Sequence, residues 1–179
     1  MGTMNRLLQI ELVPKSTWYN NVRSQVSRDE WNAIRIHFKK PSCQFCGRRY
    51  GLHCHEVWKY DDALHIQKLV GFETLCFLCH AIKHLGLAGL MAQRGDLDYQ
   101  RLIEHYCVVN ECTREEFLQD RKEAFDLWEG RSRLEWTIDV SYLDTLDLRG
   151  LGSEVRAWMK EHPDEVQRIK ESCPDVLSQ

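Results

Sequence analysis

The chain is poor in the features that divide a protein or tie it to a membrane. Its 179 residues include 4 prolines and 10 glycines, and no internal repeat or low-complexity tract marks a flexible linker. No apolar run approaches the roughly 18 residues that cross a bilayer. No charged segment followed by an apolar one has the form of a secretory signal. We therefore expect a cytoplasmic protein with no membrane partner.

Acidic and basic residues are unevenly distributed along the chain. The overall net charge is −3, which taken alone argues against a nucleic-acid partner. Residues 1–84, however, hold 12 Lys and Arg against 7 Asp and Glu, whereas residues 85–179 hold 12 against 20. The basic half also carries five of the eight cysteines and six of the eight histidines. This concentration favours contact with nucleic acid through the first half of the chain.

The first 41 residues carry helical signals. Apolar residues recur every four positions over residues 18–26, which predicts one short helix. Ser27 and Glu30 have the spacing of a capping box, which predicts a second helix. We expect this helix to stop at Pro41, because the residue before a proline avoids helical backbone angles.

The chain after residue 86 is predicted to be mainly helical, with one strand. The predicted boundaries are a cap at Asp96, a capping box at Thr113 and Glu116, a stop at Gly130, a strand over residues 134–140 and a last helix from Ser153. The second helix of this region is rich in acidic residues and is a poor fit to a DNA groove. We therefore interpret the helix pair in residues 97–129 as packing rather than as a DNA reader.

Two cysteine pairs are the strongest chemical signal in the sequence. Cys43-x-x-Cys46 and Cys76-x-x-Cys79 lie within one 37-residue window. Four thiolates at these spacings can close a tetrahedral zinc site of the structural kind. Four unrelated buried thiols are the less favoured alternative. The cysteines without paired spacing are predicted to be small buried apolar groups: Cys107, Cys112 and Cys173.

Three histidines form a second candidate metal site. His80 and His84 are four residues apart, so on a helix they share one face. His55 lies 25 residues before His80, in a segment from Leu52 to Tyr60 whose aromatic and branched residues predict a strand. A strand hairpin folded against the helix would bring the three imidazoles together.

The combined pattern resembles the zinc-bearing HNH endonucleases, which have a ββα-metal fold. The matching segments are Cys43-x-x-Cys46, Leu52-x-x-His55-Glu56 and Leu75-Cys76-x-x-Cys79-His80-x-x-x-His84. The resemblance covers about residues 41–86, roughly a quarter of the chain. It implies metal-dependent hydrolysis of DNA phosphodiester bonds that leaves a 5′-phosphate. The implied cofactors are a structural Zn²⁺ and a catalytic Mg²⁺, Mn²⁺, Ni²⁺ or Zn²⁺.

The resemblance leaves two registers open for the catalytic residues. In the first, His55, His80 and His84 bind the catalytic metal, and Glu56 is the general base. In the second, Cys54 takes the ligand position and His55 is the base. The spacing of the three histidines resembles that of the nuclease colicins and favours the first register. The catalytic residues it implies are Glu56, His55 and His80.

One position departs from the family pattern. The middle asparagine of the family falls near residue 71, where this chain has Gly71, and no asparagine occurs between Asn32 and Asn110. We expect Gln67 or His65 to replace it. Because an ordinary glutamate, with a pKa of about 4.3, is a weak base, a catalytically degenerate zinc module that binds nucleic acid or protein is the alternative function.

Basic residues surround the motif and are expected to hold the backbone of double-stranded DNA: Arg48, Arg49, Lys59, Lys68 and Lys83. His53 shares the predicted strand face of His55 and is either a support for the metal ligands or a core histidine. His105 has no chemical partners in the sequence pattern.

Taken together, the predicted elements give an α+β fold that is mostly helical, with N-terminal helices (1–41), a zinc-stapled ββα-metal motif (42–86) and an acidic helical extension packed on the motif (87–179).

Overall fold

The computed structural model describes residues 6–164, so the prediction for Cys173 lies outside the described residues. The elements in chain order are α1 (Val22–Gln25), α2 (Arg28–His37), β1 (Leu52–Asp61), β2 (Ile66–Cys76), α3 (Phe77–Lys83), α4 (Leu85–Gln93), α5 (Tyr99–Asn110), α6 (Arg114–Arg131), β3 (Thr137–Asp139) and α7 (Leu148–Glu161). Short 3₁₀ turns cover Lys15–Thr17 and Ser141–Thr145. The predicted α+β, mostly helical class is confirmed.

A long antiparallel hairpin of β1 and β2 forms the centre of the sheet. Its register runs from Leu52 opposite Cys76 to Asp61 opposite Ile66, with an irregularity after Val57. The Asp61 carboxylate accepts hydrogen bonds from two backbone amides in the turn, and β3 then pairs with β2 in parallel. The far end of β2 leads directly into α3, so the hairpin and the helix that follows form one ββα unit.

Two apolar clusters pack around this unit. The first core joins β2, α3, α4, α5 and α6, and its fully buried side chains include Leu75, Ile82, Leu102 and Phe117. The second core joins α1, α2 and the hairpin around Val22, Ile34, Leu69 and Leu143. Side chains alternate across a strand. Successive residues of β1 therefore face different surroundings.

The N-terminal segment (residues 6–14) runs without regular secondary structure beside the first core. Asn110 holds it through both backbone groups of Leu8, with distances of 2.9 and 3.0 Å. The Glu11 amide donates to the Lys83 carbonyl at 3.0 Å, and the Trp128 indole donates to the Val13 carbonyl at 2.9 Å. These contacts fix Glu11 beside the end of α3.

Both predicted capping boxes are confirmed, at Ser27 with Glu30 and at Thr113 with Glu116. The helix predicted over residues 18–26 was wrong in extent, because Asn21 caps a new start and Val26 is already extended. The second helix ends at His37, before Pro41 is reached.

Four predicted boundaries in the second half were also wrong. Asp98 rather than Asp96 caps α5. Asp147 caps α7, which begins at Leu148, five residues before the predicted start at Ser153. Gly130 lies inside α6, which continues to Arg131. The strand predicted over residues 134–140 shortens to Thr137–Asp139, because these three residues pair with β2. Across residues 6–164, no helix combines the length and the apolar character needed to cross a bilayer.

Candidate metal centres

The four paired cysteines come together at the junction of the hairpin and α3. Cys43 and Cys46 lie in a tight turn that Gly47 closes with a φ of 75°, and the Gly47 amide donates to the Cys43 carbonyl. Cys76 is the N-cap of α3, and Cys79 lies in its first turn. The two pairs therefore meet because the register of the hairpin returns Cys76 to the loop.

The sulfur geometry fits a tetrahedral ion. All four Sγ atoms lie within 4.8 Å of one another, and the Cys46 and Cys76 sulfurs are 3.4 Å apart. A zinc ion with Zn–S bonds of about 2.3 Å needs sulfur–sulfur edges of roughly 3.8 Å. The predicted cluster of four cysteines is therefore present in the structure and could hold a metal ion, and its donors are those that structural zinc prefers.

The electrostatics of the cluster favour a thiolate at Cys43. Hydrogen bonds from the Cys76 and Cys79 thiols hold the pKa of Cys43 far below its usual value. The pKa values of Cys76 and Cys79 rise, because both thiols donate hydrogen bonds to the Cys43 sulfur and must stay protonated to do so. His105 of α5 also places Nε2 3.2 Å from the Cys79 sulfur, so the expectation that it stands apart was wrong.

The three histidines form a compact second cluster, which we call the tri-histidine cluster (His55, His80 and His84). Their ring centroids are 4.8 to 5.2 Å apart, and one nitrogen from each lies within 4.8 Å of the others. His55 comes from β1, His80 from α3 and His84 from the residue that caps α3. The sequence prediction that the hairpin and helix bring them together is confirmed.

Burial keeps these imidazoles neutral. It lowers the pKa of His55 and His80 well below the ordinary value, and it lowers the pKa of His84 to about 4. A neutral imidazole offers a lone pair, which is the form that binds a metal ion. The cluster therefore presents ligands, not charges, at neutral pH.

Unpartnered polar atoms collect at the same place. Glu73 Oε1 is buried without a well-formed hydrogen bond, but it is ion-paired with the Lys83 ammonium group at 3.1 Å. Among the residues that the structure describes, the other buried side-chain N and O atoms without a hydrogen-bond partner are the ring nitrogens His55 Nε2 and His80 Nδ1. Such atoms cost roughly 1–3 kcal/mol each when they stay unsatisfied. Imidazole nitrogens are also common donors to divalent metals. The donor set thus fits an ion at this position.

Two carboxylates and a lysine enclose the cluster, and the sequence pattern did not identify their role. Glu73 stands opposite His55 in the hairpin register, and its Oε1 lies 4.0 Å from His55 Nε2. Glu11 Oε2 lies 3.5 Å from the same nitrogen. Lys83 forms ion pairs with both carboxylates. The hairpin register would have revealed Glu73, but no signal in the sequence places Glu11 here.

Glu56 does not reach the tri-histidine cluster. Its carboxylate accepts hydrogen bonds from the Val22 amide at 2.9 Å and from the Trp58 indole at 3.1 Å. Val22 and Trp58 belong to the second core, on the side of β1 away from His80 and His84. Because neighbouring strand residues face opposite ways, the Glu56 carboxylate lies away from the cluster, and its assignment as the base stays a prediction that no contact in the structure supports.

Cys54, the metal ligand in the second register, does not lie at the cluster either. It directly precedes His55 in β1, so strand alternation turns its side chain away from the cluster. The residues whose donor atoms gather there are the three histidines. Cys54 is therefore not among the ligands that the structure assembles at this position.

The expected substitutes for the family asparagine lie at the wrong end of the hairpin. Gly71 stands opposite Val57 in β2. Gln67 is buried and accepts a hydrogen bond from the Thr17 hydroxyl at 2.7 Å. His65 sits in the hairpin turn with a φ of 52°. Neither Gln67 nor His65 can orient a group near His55, which lies several residues away along β1.

His53 is a neighbour of the cluster. Its ring stacks on that of His80, with centroids 5.2 Å apart, and it is only partly buried. Burial, aided by Arg35, lowers its pKa. The structure thus favours the supporting role over that of an isolated core histidine.

The basic residues expected to hold DNA divide into two groups. Arg49 and Lys59 are exposed, Arg48 lies over the ring of exposed Tyr50, and Lys68 is 52% exposed with an ion pair to Asp139. Lys83 is 4% exposed. Its ammonium group contacts two partly buried carboxylates, so Lys83 does not share the more exposed position of the other four residues.

Two further cysteines differ from expectation. Cys107 and Cys112 are partly exposed rather than fully buried, and they lie at the end of α5 and in the turn that follows.

Comparison with known proteins adds no relative: no family model matches the chain, and no curated protein or solved structure is significantly similar to it.

Proposed function

We propose that the protein is a metal-dependent DNA endonuclease that hydrolyses phosphodiester bonds at the tri-histidine cluster. The observation that carries this proposal is the convergence of three neutral imidazoles and unpartnered buried donor atoms on one ββα unit. The four-cysteine site beside it, with structural zinc as the proposed ion, holds the unit in shape. The resemblance of the motif to HNH endonucleases supports the same reaction.

The division of labour follows from the position of each side chain. His55, His80 and His84 would hold the catalytic metal, which would supply Lewis-acid stabilisation of charge on the phosphoryl group and the leaving oxygen. Lys83, Glu11 and Glu73 keep the local charge balanced, because the single buried ammonium group contacts both carboxylates. The protein therefore presents neutral imidazole ligands beside the ion pairs of Lys83 with Glu11 and Glu73.

His53 is the proton acceptor in this proposal. A general base must lie on the side of the sheet that carries His55, which Glu56 does not. His53 meets that condition, contacts the His80 ring and is partly open to solvent. Its lowered pKa keeps the imidazole neutral at pH 7, so that it can accept a proton from the attacking water.

DNA approaches through exposed basic residues near the hairpin and the cysteine loop. Arg48 and Arg49 follow the first cysteine pair, and Lys59 faces Lys68 across the hairpin. Like charges directly opposite one another are unfavourable, and a phosphate between or beside them relieves the repulsion. We propose double-stranded DNA as the partner, held mainly through its backbone.

A non-catalytic zinc module that binds nucleic acid or protein is the second candidate. The burial of Glu56 among second-core residues and the glycine at position 71 favour it, because both remove groups that the HNH resemblance assigns to catalysis. The two candidates make different predictions for the tri-histidine cluster. Only the enzyme requires it for turnover.

Nicking of supercoiled plasmid tests the proposal. The zinc-loaded protein is assayed with Mg²⁺, Mn²⁺, Ni²⁺ or Zn²⁺, beside His80→Ala and the control His37→Ala. His37 is an exposed histidine at the end of α2, outside both clusters. We expect cleavage by the wild type and by His37→Ala, and none by His80→Ala. Equal nicking by all three proteins would assign the activity to a contaminant. Binding of DNA without cleavage would favour the module.

A further inference from the structure

Glu11 reaches the tri-histidine cluster from outside the ββα unit. Its backbone amide is fixed by the Lys83 carbonyl, and one carboxylate oxygen, Oε1, is engaged by the Lys83 ammonium group. The other oxygen, Oε2, lies 3.5 Å from His55 Nε2. The N-terminal segment therefore delivers one carboxylate oxygen to the edge of the candidate metal site.

The contact between Glu11 and His55 is not a hydrogen bond. His55 Nε2 is buried and has no hydrogen-bond partner, although a carboxylate oxygen stands 3.5 Å away. Two donors that bind one tetrahedral ion at about 2.1 Å are separated by roughly 3.4 Å. The spacing between Glu11 Oε2 and His55 Nε2 matches that of two ligands of a common ion, although Glu11 does not belong to the group whose donor atoms all lie within 4.8 Å of one another.

Glu73 is the rival carboxylate. Its Oε1 lies farther from His55 Nε2, at 4.0 Å, and only 3.1 Å from the Lys83 nitrogen. Glu73 is also the less exposed of the two side chains, at 12% against 29% for Glu11. Glu11 contacts Lys83 through Oε1 and places Oε2 near His55. In Glu73, by contrast, the single oxygen Oε1 faces both Lys83 and His55.

We propose that Glu11 Oε2 is the oxygen ligand that completes the tri-histidine cluster, giving a site with three nitrogens and one carboxylate oxygen. This inference rests on the metal site of the proposed function and not on its nuclease reaction. Three imidazoles favour Zn²⁺, Co²⁺, Ni²⁺ or Mn²⁺ over Mg²⁺, which prefers an all-oxygen shell. The resident ion is therefore a transition metal.

Cobalt binding to the zinc-loaded protein tests this ligand without any assay of cleavage. With zinc in the four-cysteine site, Co²⁺ titrates the tri-histidine cluster, and its visible absorption reports the coordination number. The variants are Glu11→Gln, Glu11→Asp and the control Glu73→Gln, which removes the same charge from the other partner of Lys83. Near-ultraviolet circular dichroism verifies that each variant is folded.

We expect Glu11→Gln to lower the Co²⁺ affinity at least about tenfold and to weaken the visible bands, because water replaces a fixed ligand. Glu11→Asp retains part of both signals, Glu73→Gln loses clearly less Co²⁺ affinity than Glu11→Gln, and a large excess of Mg²⁺ does not displace Co²⁺. Unchanged binding by Glu11→Gln, a larger loss in Glu73→Gln, or no Co²⁺ binding by the wild type would each overturn the proposal. Co²⁺ binding without DNA cleavage would refute the nuclease and leave this ligand assignment intact.

Discussion

At the scale of single residues, the direction of a side chain decides its chemistry more than its place in a motif. His55 and Glu56 are neighbours in the sequence, yet they face different cores. Strand geometry separates them, because each peptide unit reverses the side. His53 and Glu73 share the side of His55 and are nearer to the candidate site than the residue that the motif assigns.

His53→Ala tests the proposed base. We expect it to lower plasmid cleavage by at least about 100-fold, the typical contribution of a general base, while Co²⁺ binding at the tri-histidine cluster persists. Glu56→Gln is the matched variant on the opposite side of the strand, and its cleavage rate should stay within a few-fold of wild type. Loss of cleavage in Glu56→Gln with normal metal binding would return the base to Glu56.

The burial of Glu56 also predicts a pH dependence of stability. Desolvation raises its pKa from 4.5 to about 7, so the folded protein resists ionisation of this carboxyl group. The free energy of unfolding should therefore fall as the pH rises between these values, by at most about 3 kcal/mol. In urea unfolding, the free energy of unfolding of the wild type minus that of Glu56→Gln should be larger at pH 5 than at pH 8. A difference that does not change with pH would contradict the assignment.

At the scale of elements, the signals that depend on local backbone chemistry could be predicted from the sequence. The two capping boxes, the ββα unit and both clusters of candidate metal ligands follow from sequence spacings such as Cys43 to Cys46 or His80 to His84. Helix starts at Asp98 and Asp147 could not be placed, because other acidic or hydroxyl residues nearby offer similar caps and tertiary packing chooses between them. The N-terminal segment has no periodicity, and its position depends on side chains about 100 residues away, such as Asn110.

Asn110→Ala tests the docking of the N-terminal segment. The change removes both hydrogen bonds to Leu8 and leaves its amide and carbonyl without that partner. We expect a loss of about 1–3 kcal/mol in the free energy of unfolding and weaker Co²⁺ binding, because Glu11 is then less firmly held. Gln100→Ala, an exposed position on the same helix, is the control and should change neither quantity measurably. Normal Co²⁺ affinity in Asn110→Ala would show that the segment does not support the metal site.

At the scale of the whole molecule, the four-cysteine site joins the cysteine loop to the helix that bears His80. Cys43, Cys76 and Cys79 are also members of the first core, so the proposed zinc ion lies where the ββα unit meets the helical frame. The uneven distribution of charge is also a property of the whole molecule. The basic first half contains both clusters of candidate metal ligands, and the overall net charge of −3 does not reveal this basic region.

Removal of zinc should therefore unfold the first core. Structural zinc contributes on the order of 10 kcal/mol in small zinc modules, which is comparable to the whole stability of a typical domain. We expect a strong chelator, or Cys43→Ser, to abolish the cooperative thermal transition seen by near-ultraviolet circular dichroism. Cys54→Ser is the control, since Cys54 lies outside the four-cysteine site. An unchanged transition in Cys43→Ser would contradict a structural role for the ion.

Phosphodiester cleavage at the tri-histidine cluster is the function that we propose for the protein. The most direct measurement is the plasmid-nicking rate of zinc-loaded protein as Mn²⁺ or Co²⁺ is titrated in, with occupancy of the tri-histidine cluster followed on the same samples. We expect a rate that rises with occupancy and levels off at one added ion per chain, with no cleavage by His80→Ala. Full occupancy of the cluster without nicking would contradict this proposal.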